Sequence, residues 1–424
     1  MFFKGYKCFS CEAEYAADLN NYTCPKCGGN LDVTYDYHQM ERETGRERMI
    51  HAGRPDIFRY APLLPVESLR LTSPLRVGMT PLYAAERLGL SIGLRHVFLK
   101  DDGLNPSASF KDRAGALALV IAREAGSEVI AAASTGNAGS SMAYLAASVG
   151  MPCVVFVPEN APAAKITQLL VFGAQVLAVR GSYDDAYGLC RKVCEQRGWF
   201  NRNTGYNPFT REGKKTCSYE ICEHLGWHTP DRIVVPTGDG NIISGIWKGM
   251  RDLLAVGLIN RLPKIDCAQS IASSAISQTV WSLRRLNLQS KAIKWSDVKV
   301  NPVRAATLAD SISVDEPSDG IAAVRAVIES GGEAVAVTDE EILAAIPELA
   351  RMAGVFAEPA AAATWACLKK MVAEQMVSPD ERVVCLITGN GLKDIANARK
   401  VSGEPTVIDP TIEAACAALD LAGL

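Results

Sequence analysis

Short apolar runs of strand length recur along most of the chain, at 97–99, 129–133, 153–157, 176–179, 233–235, 265–268, 334–337 and 383–387. Helical patterns lie between most of them, at 112–125, 139–149, 163–172, 184–197, 212–225 and 340–352. A run that is apolar throughout, rather than alternating, is what a strand covered on both faces shows. Helices of three or more turns between such runs supply the crossovers that parallel strands need. The expected class is therefore α/β with parallel sheets. At 424 residues the chain exceeds what one core usually serves, so two or three domains are expected.

Charge and cysteine usage narrow the function classes. With 44 basic and 47 acidic residues the net charge is −3, and no long Lys/Arg run offers an electrostatic footprint for nucleic acid or an acidic membrane. The start, MFFKGYKCFSCEAEY, meets cysteines and charges too early for a signal-peptide apolar region, and runs such as 114–122 are too short to span a bilayer. Most of the 13 cysteines are scattered singly through apolar segments, the usage expected in a reducing compartment, here the cytoplasm. Four are not scattered. Cys8-x2-Cys11 and Cys24-x2-Cys27 are separated by twelve residues, and two such knuckles bring four thiolates tetrahedrally around one Zn²⁺. The alternative is two separate thiol pairs of redox character. Four protein ligands leave no open coordination position, so the zinc is expected to be structural, and a ribbon of residues 1–35 is expected to depend on it to fold.

In open α/β sheets, ligand-facing loops leave the C-terminal ends of strands. Polar and glycine clusters follow several of the runs. In Asn105-Pro106-Ser107-Ala108-Ser109-Phe110-Lys111-Asp112-Arg113 a helix begins near Lys111, with Ser107 or Ser109 available as cap. A lysine at the positive end of a helix dipole has its amine pKa lowered, as a Schiff-base lysine requires; the alternative is a solvated lysine paired with Asp112. Ser134-Thr135-Gly136-Asn137-Ala138-Gly139 presents hydroxyls and backbone N–H groups at a helix start, ready for an anion, and Asn137 suits a phenolic oxygen or a carboxylate. Thr237-Gly238-Asp239-Gly240-Asn241 is a glycine loop able to wrap a phosphate, although its spacing matches neither the dinucleotide nor the P-loop fingerprint. Asp239 is out of place in such a loop unless it caps backbone amides. Thr388-Gly389-Asn390-Gly391 closes the set with a hydroxyl at a strand end. Glu358-Pro359-Ala360 reads as a helix start packed in the core, and Thr307–Ser311 as a turn.

Together Lys111, Asn137, the 237–241 loop and Thr388 resemble the pyridoxal-phosphate (PLP) enzymes of the tryptophan-synthase-β fold type (fold type II), and within them the threonine-synthase family. The likeness runs from Met79-Thr80-Pro81-Leu82 to Asp394. It implies two open parallel-sheet α/β domains, with residues 79–125 and 200–400 forming a large PLP domain and 126–199 a smaller mobile one. A zinc-ribbon-like segment at 1–35, a connecting segment at 36–78 and a helical tail at 401–424 complete the chain. It further implies that Lys111 carries the cofactor and acts as acid and base, and that Phe110 lies beside the ring. Asn137 would bond the 3′-oxygen, and Thr237, Gly238, Asp239, Gly240 and Asn241 would surround the phosphate. Thr388 would meet the pyridine nitrogen, and a hydroxyl there favours elimination and replacement over transamination. A loop at Thr307–Ser311 near the cofactor and a homodimer are also implied.

On the substrate side, the stretch Asn207-Pro208-Phe209-Thr210-Arg211-Glu212-Gly213-Lys214-Lys215-Thr216 resembles the family's Asn-Pro…Gly-x-Lys-Thr segment. Ser134, Thr135, Asn207, Arg211, Lys214 and Lys215 are then candidates for the phosphate of O-phospho-L-homoserine, since Arg forks match phosphate oxygens. The expected reaction converts that substrate and water to L-threonine and phosphate. The sequence departs from the family pattern at Ala108 and Ala114, where glycine is common, at Ala138, where a hydroxyl residue is common, and in a phosphate loop one residue shorter. β-Replacement on O-phospho-L-serine, as in cysteate synthase, or a Ser/Thr dehydratase are the rival chemistries. An interaction module carried by the ribbon is the rival class; there Lys4, Lys7 and Lys26 face Glu12, Glu14, Asp18 and Asp32, leaving no basic face.

Overall fold

The structure, a computed structural model, describes residues 2–43, 53–161, 163–286 and 293–422. At the N-terminus β1 (Phe3–Cys8), β2 (Glu14–Ala16) and β3 (Leu31–Tyr35) form an antiparallel sheet in the order β2-β1-β3. In β3 Leu31, Val33 and Tyr35 are buried while Asp32 and Thr34 are only partly so, the period-two pattern of a strand with one face packed. That face meets the body of the protein, where the Phe3 ring lies 6.1 Å from Phe209. The ribbon is thus continuous with the largest apolar core rather than a free-standing unit, and packing joins any metal in supporting it.

The remaining strands follow as β4 (Leu82–Ala84), β5 (His96–Asp101), β6 (Ile130–Ala133), β7 (Cys153–Pro158) and β8 (Gln175–Val179). Then come β9 (Phe200–Asn201), β10 (Arg232–Pro236), β11 (Lys264–Ser270), β12 (Ala334–Val337) and β13 (Arg382–Ile387). A six-stranded sheet has the order β12-β11-β10-β13-β5-β4, and a four-stranded sheet the order β8-β7-β6-β9. Every expected apolar run is a strand of one of these sheets.

Pairing is parallel throughout except at one edge, where β4 runs antiparallel to β5. The short link through the Glu86–Leu90 helix permits that direction, which a parallel crossover of a dozen residues would not. β4 escaped the sequence pattern because it is short and largely exposed. β9 pairs with β6, which carries the smaller sheet one strand beyond the expected boundary at residue 199.

The expected helices appear with ends shifted by a few residues. The pattern at 212–225 is the pair Phe209–Lys214 and Thr216–His224, in line through Lys215, whose φ of −61° and ψ of −21° are helical. Among the described residues no helix is long and apolar enough to cross a membrane. The Lys111–Glu124 helix is buried from Asp112 to Ala122. Its small residues Ala114, Gly115, Ala116 and Ala118 let it press between the Asn137–Ser148 and Phe209–Lys214 helices. It links the two sheets, and its first residue faces the cleft.

Candidate active site

Strands β5, β13 and β10 are neighbours, so the loops leaving their C-terminal ends emerge side by side. The loop after β6 approaches from the smaller sheet. The pocket between them is lined by Lys111, Asn137, Thr237, Gly238, Asp239, Gly240, Ser311, Glu358 and Thr388. Residues chosen from four separate sequence segments therefore share one pocket.

Lys111 is held by stitching between two loops. The Phe110 amide donates to the Thr388 carbonyl at 2.8 Å, and the Asn390 amide to the Ala108 carbonyl at 3.1 Å. Ala108, where the family commonly has glycine, adopts φ +60°, a left-handed conformation that costs a non-glycine residue about 1–2 kcal/mol. Neither serine caps the helix, whose Phe110 cap carries no side-chain bond. Ser107 instead bonds Asp112 through its hydroxyl and, at 2.8 Å, through its amide. Asp112 is thereby taken by Ser107, and Lys111 is not its ion-pair partner.

Burial pushes the Lys111 amine below its ordinary value of 10.5; Arg202 pushes the same way, while Asp239 and Glu358 oppose. The neutral, nucleophilic form is the one that desolvation favours. The rate at which the apoprotein takes up an aldehyde cofactor should therefore reach half its maximum below pH 10.5. Stopped-flow absorbance across pH measures it, and a midpoint at or above the free-lysine value would contradict this environment.

The glycine loop has the features of a phosphate cradle. No hydrogen-bond partner for the amides of Gly238 and Gly240 is found among the described residues. Gly240 has φ +92°, and a Cβ there would lie 2.7 Å from the Asp319 carbonyl; one on Gly238 would lie 2.9 Å from Ile312 Cα. Behind the loop the Asn241–Ala255 helix starts, its positive end directed at the same point. Asp239 turns its carboxylate onto the Asn241 amide at 3.0 Å, which is the capping role that reconciles an acid with this loop. Unbonded amides, no room for side chains and a helix start fit a phosphate group. Thr237 is buried with its hydroxyl on the Val235 carbonyl, and the Asn241 side chain is engaged by Asp319 at 2.7 Å and Lys214 at 2.6 Å. These two residues therefore offer backbone rather than side-chain groups.

Asn137 points its amide nitrogen at the Glu358 carboxylate, 3.2 Å from Oε2, and at Ser311 Oγ, 3.4 Å away. Burial pushes the Glu358 carboxyl up, against the lowering influence of Asn137 and Lys111. Glu358 was missed as a pocket residue, whereas Ser311 belongs to the 307–311 loop that the family resemblance, though not its composition, puts near the cofactor. Glu358 precedes a proline-initiated helix and reads as a cap, yet no cap bond forms. Thr388 is 6% exposed at the end of β13. Phe110 is fully buried under Arg113, whose guanidinium lies 5.5 Å from its ring, and it stands outside the pocket lining.

The expected substrate residues divide. Ser134 and Thr135 are partly exposed on the loop after β6, and the Ser134 hydroxyl accepts from the Gly136 amide at 3.2 Å. Asn207 is consumed internally by the Asn201 carbonyl and the Phe209 amide. Arg211 does not face the pocket: its Nη2 lies 2.5 and 2.6 Å from the two oxygens of Asp319. Lys215 pairs with Glu212 and Asp252, fully buried. Buried acids matched to these cations are the physical reason, and sequence spacing alone does not reveal them. Lys214 bonds the Asn241 side chain of the glycine loop, and burial together with Lys111 holds its amine well below the usual lysine range.

Arg202, like Lys214, is a buried cation for which no ion-pair partner is found among the described residues. Arg202 is 1% exposed and its Nη1 meets the Thr204 hydroxyl. Its Nε and Nη2 have no partner among the described residues. Burial pushes it down to about 10. It leaves β9 next to the 133–135 loop, since the Asn203 side chain accepts from the Ala133 amide at 2.7 Å.

At the far side of the ribbon, the sulfurs of Cys8, Cys11, Cys24 and Cys27 lie within 4.8 Å of one another. Burial raises the Cys24 thiol, but the Tyr15 hydroxyl at 3.1 Å and the amides of Cys27 and Lys26 outweigh it and bring it to about 6. Four convergent sulfurs, one poised as thiolate, are a donor set suited to tetrahedral Zn²⁺.

Comparison with known proteins accords with this geometry. Residues 74–389 match the family described as pyridoxal-phosphate dependent enzyme. The chain is 40% identical over 410 residues to a threonine synthase of Methanosarcina acetivorans, covering 96% of each. It is 37% identical over 404 residues to a threonine synthase of Methanocaldococcus jannaschii, covering 95% of this chain and 96% of that one. Among solved structures, the processed form of threonine deaminase isoform 2 from Solanum lycopersicum superposes with a TM-score of 0.66 at 19% identity, over 82% of this chain and 92% of that one; at that identity the likeness concerns the fold.

Proposed function

We propose that this chain, which belongs to the pyridoxal-phosphate dependent enzymes and to the threonine synthases among them, converts O-phospho-L-homoserine and water to L-threonine and phosphate. The observation that carries the reading is similarity to threonine synthases over 96% of the chain. Lys111 in the shared pocket supports it. The cofactor, when bound, supplies an electron sink for carbanions next to the amino-bearing carbon.

The rest of the chemistry belongs to the chain. The Lys111 amine, its pKa lowered by burial, takes the proton from Cα and, once it has passed that proton on, takes one from Cβ. Phosphate leaves Cγ with the C–O bonding pair, Cγ is protonated to a methyl group, water adds at Cβ and Cα is reprotonated. The amides of Gly238 and Gly240 hold the cofactor phosphate, Asn137 the 3′-oxygen, and Thr388 the ring nitrogen without fixing a proton on it. For the substrate phosphate, Arg202 with Ser134 and Thr135 takes the place expected of Arg211, because its fork is buried and unmatched. In ¹⁸O-labelled water the label should appear in threonine and not in phosphate. Label in the phosphate would mean P–O hydrolysis, and would remove this reading.

The four-cysteine cluster is assigned one structural Zn²⁺. Elemental analysis should find one zinc per chain, lost in Cys24→Ser; a metal-free, fully active protein would refute the assignment. The cytoplasm and a homodimer are part of the same proposal. Free thiols support the first, and the exposed Ile412 and Leu421 of the last described helix support the second.

A further inference from the structure

Asp319 touches each of the last three residues of the glycine loop. Its amide donates to the Asp239 carbonyl at 2.8 Å. Its own carbonyl sits against Gly240 where a side chain would otherwise stand, and its carboxylate accepts from the Asn241 amide group at 2.7 Å. A carboxylate this close to a phosphate site repels the ligand unless it is neutralised. Arg211 neutralises it with a short two-oxygen contact.

The N-terminal ribbon holds both members of that pair. Phe9, between the first two cysteines, lies under the Arg211 guanidinium at 4.4 Å, and the Leu31 carbonyl accepts from Arg211 Nη1 at 3.1 Å. Asn30, three residues after Cys27, donates to Asp319 Oδ1 at 2.9 Å and to the Ser318 carbonyl at 2.6 Å. The path from cysteine knuckles to phosphate loop is thus Phe9 to Arg211 to Asp319, with Asn30 as a second, direct strut.

We propose that the N-terminal ribbon is a positioning device for the cofactor-phosphate loop, acting through Arg211 and Asp319. The proposal rests on the reading that residues 237–241 hold the cofactor phosphate. The ribbon keeps the guanidinium seated on Asp319, so the loop presents its amides without an unscreened negative charge behind them. Arg211, expected from sequence to bind substrate, serves the cofactor side indirectly.

Two ligands separate positioning from general support: pyridoxal phosphate and pyridoxal, which lacks the phosphate. The full-length apoprotein, wild type and carrying N30A or F9A plus N30A, is titrated with each, and the ³¹P resonance of bound pyridoxal phosphate is recorded. The double variant should lose roughly fivefold or more in affinity for pyridoxal phosphate, keep its pyridoxal affinity, and show a shifted ³¹P resonance. Equal losses for both ligands, or no loss for either, would overturn the proposal. N30A alone, at a partly exposed position, should show the same selective loss in smaller measure and decides the matter if the double variant does not fold. A wild-type chain that takes up neither compound would overturn the functional reading and this inference with it, an outcome the wild-type control distinguishes from failure of the inference alone.

Discussion

Lys111→Ala is expected to abolish the visible absorption band of the holoprotein and to lower phosphate release from O-phospho-L-homoserine by at least about a thousandfold. Two roles, covalent attachment and proton transfer, fall on one amine, so nothing is left to compensate. Lys214 is the alternative amine nearest in kind, being buried and depressed by Lys111 itself. It is tied to Asn241 Oδ1 at 2.6 Å and does not line the pocket. A band that survives Lys111→Ala would transfer the assignment to Lys214. The measurement is a spectrum of the purified variant after loading with cofactor and removal of the unbound excess, alongside a phosphate assay.

Arg113→Met is expected to be the most destabilising single change near the site, by about 3–5 kcal/mol. Arg113, Asp102, Glu220 and Lys100 are all 0% exposed. The guanidinium bonds Asp102 at 2.5 and 2.8 Å and Glu220 at 2.5 and 2.7 Å. Lys100 adds a contact to Glu220 at 2.6 Å. Methionine fills the volume but leaves Asp102 buried without a cation and Glu220 with Lys100 alone, the situation in which breaking a buried ion pair is most costly.

The pH dependence follows from the same contacts. Burial tends to raise the Glu220 carboxyl, but Arg113 and Lys100 prevail and hold it far below its ordinary value of 4.5. A carboxyl with a depressed folded pKa contributes stability above its unfolded value and loses it as pH falls toward the folded one. The native protein should therefore lose this contribution below about pH 4.5, and the variant should have less of it to lose. Urea unfolding at pH 7 and pH 4 reads both effects. A variant within 1 kcal/mol of wild type would show that the cluster is not held as described.

The fold was legible because strands buried on both faces leave uninterrupted apolar runs, and each of those runs is a strand. The edge strand β4 and the two-residue β9 were not, since exposure and shortness erase the pattern. The loops of the pocket were equally readable: Lys111, Asn137, Gly238, Gly240 and Thr388 stand at helix starts or strand ends with small residues around them. What failed was the identity of the cations. Arg211, Lys214 and Lys215 sit in a segment that looks basic and solvated, yet their partners Asp319, Asn241, Glu212 and Asp252 lie on other segments or on the same helix face. Only three-dimensional pairing tells a structural cation from an available one, and it leaves the Arg202 Nε and Nη2 without a partner among the described residues. Glu358 was hidden by its neighbour, because a proline after an acid signals a helix start more strongly than it signals a pocket.

Turnover on a panel of phosphorylated amino acids tests the central claim most directly. The account predicts that the holoprotein releases phosphate from O-phospho-L-homoserine with threonine formed in equal amount, and that Arg202→Met raises the KM for this substrate more than it alters the bound cofactor's spectrum. Release from O-phospho-L-serine alone, with no threonine formed from the longer substrate, would contradict it.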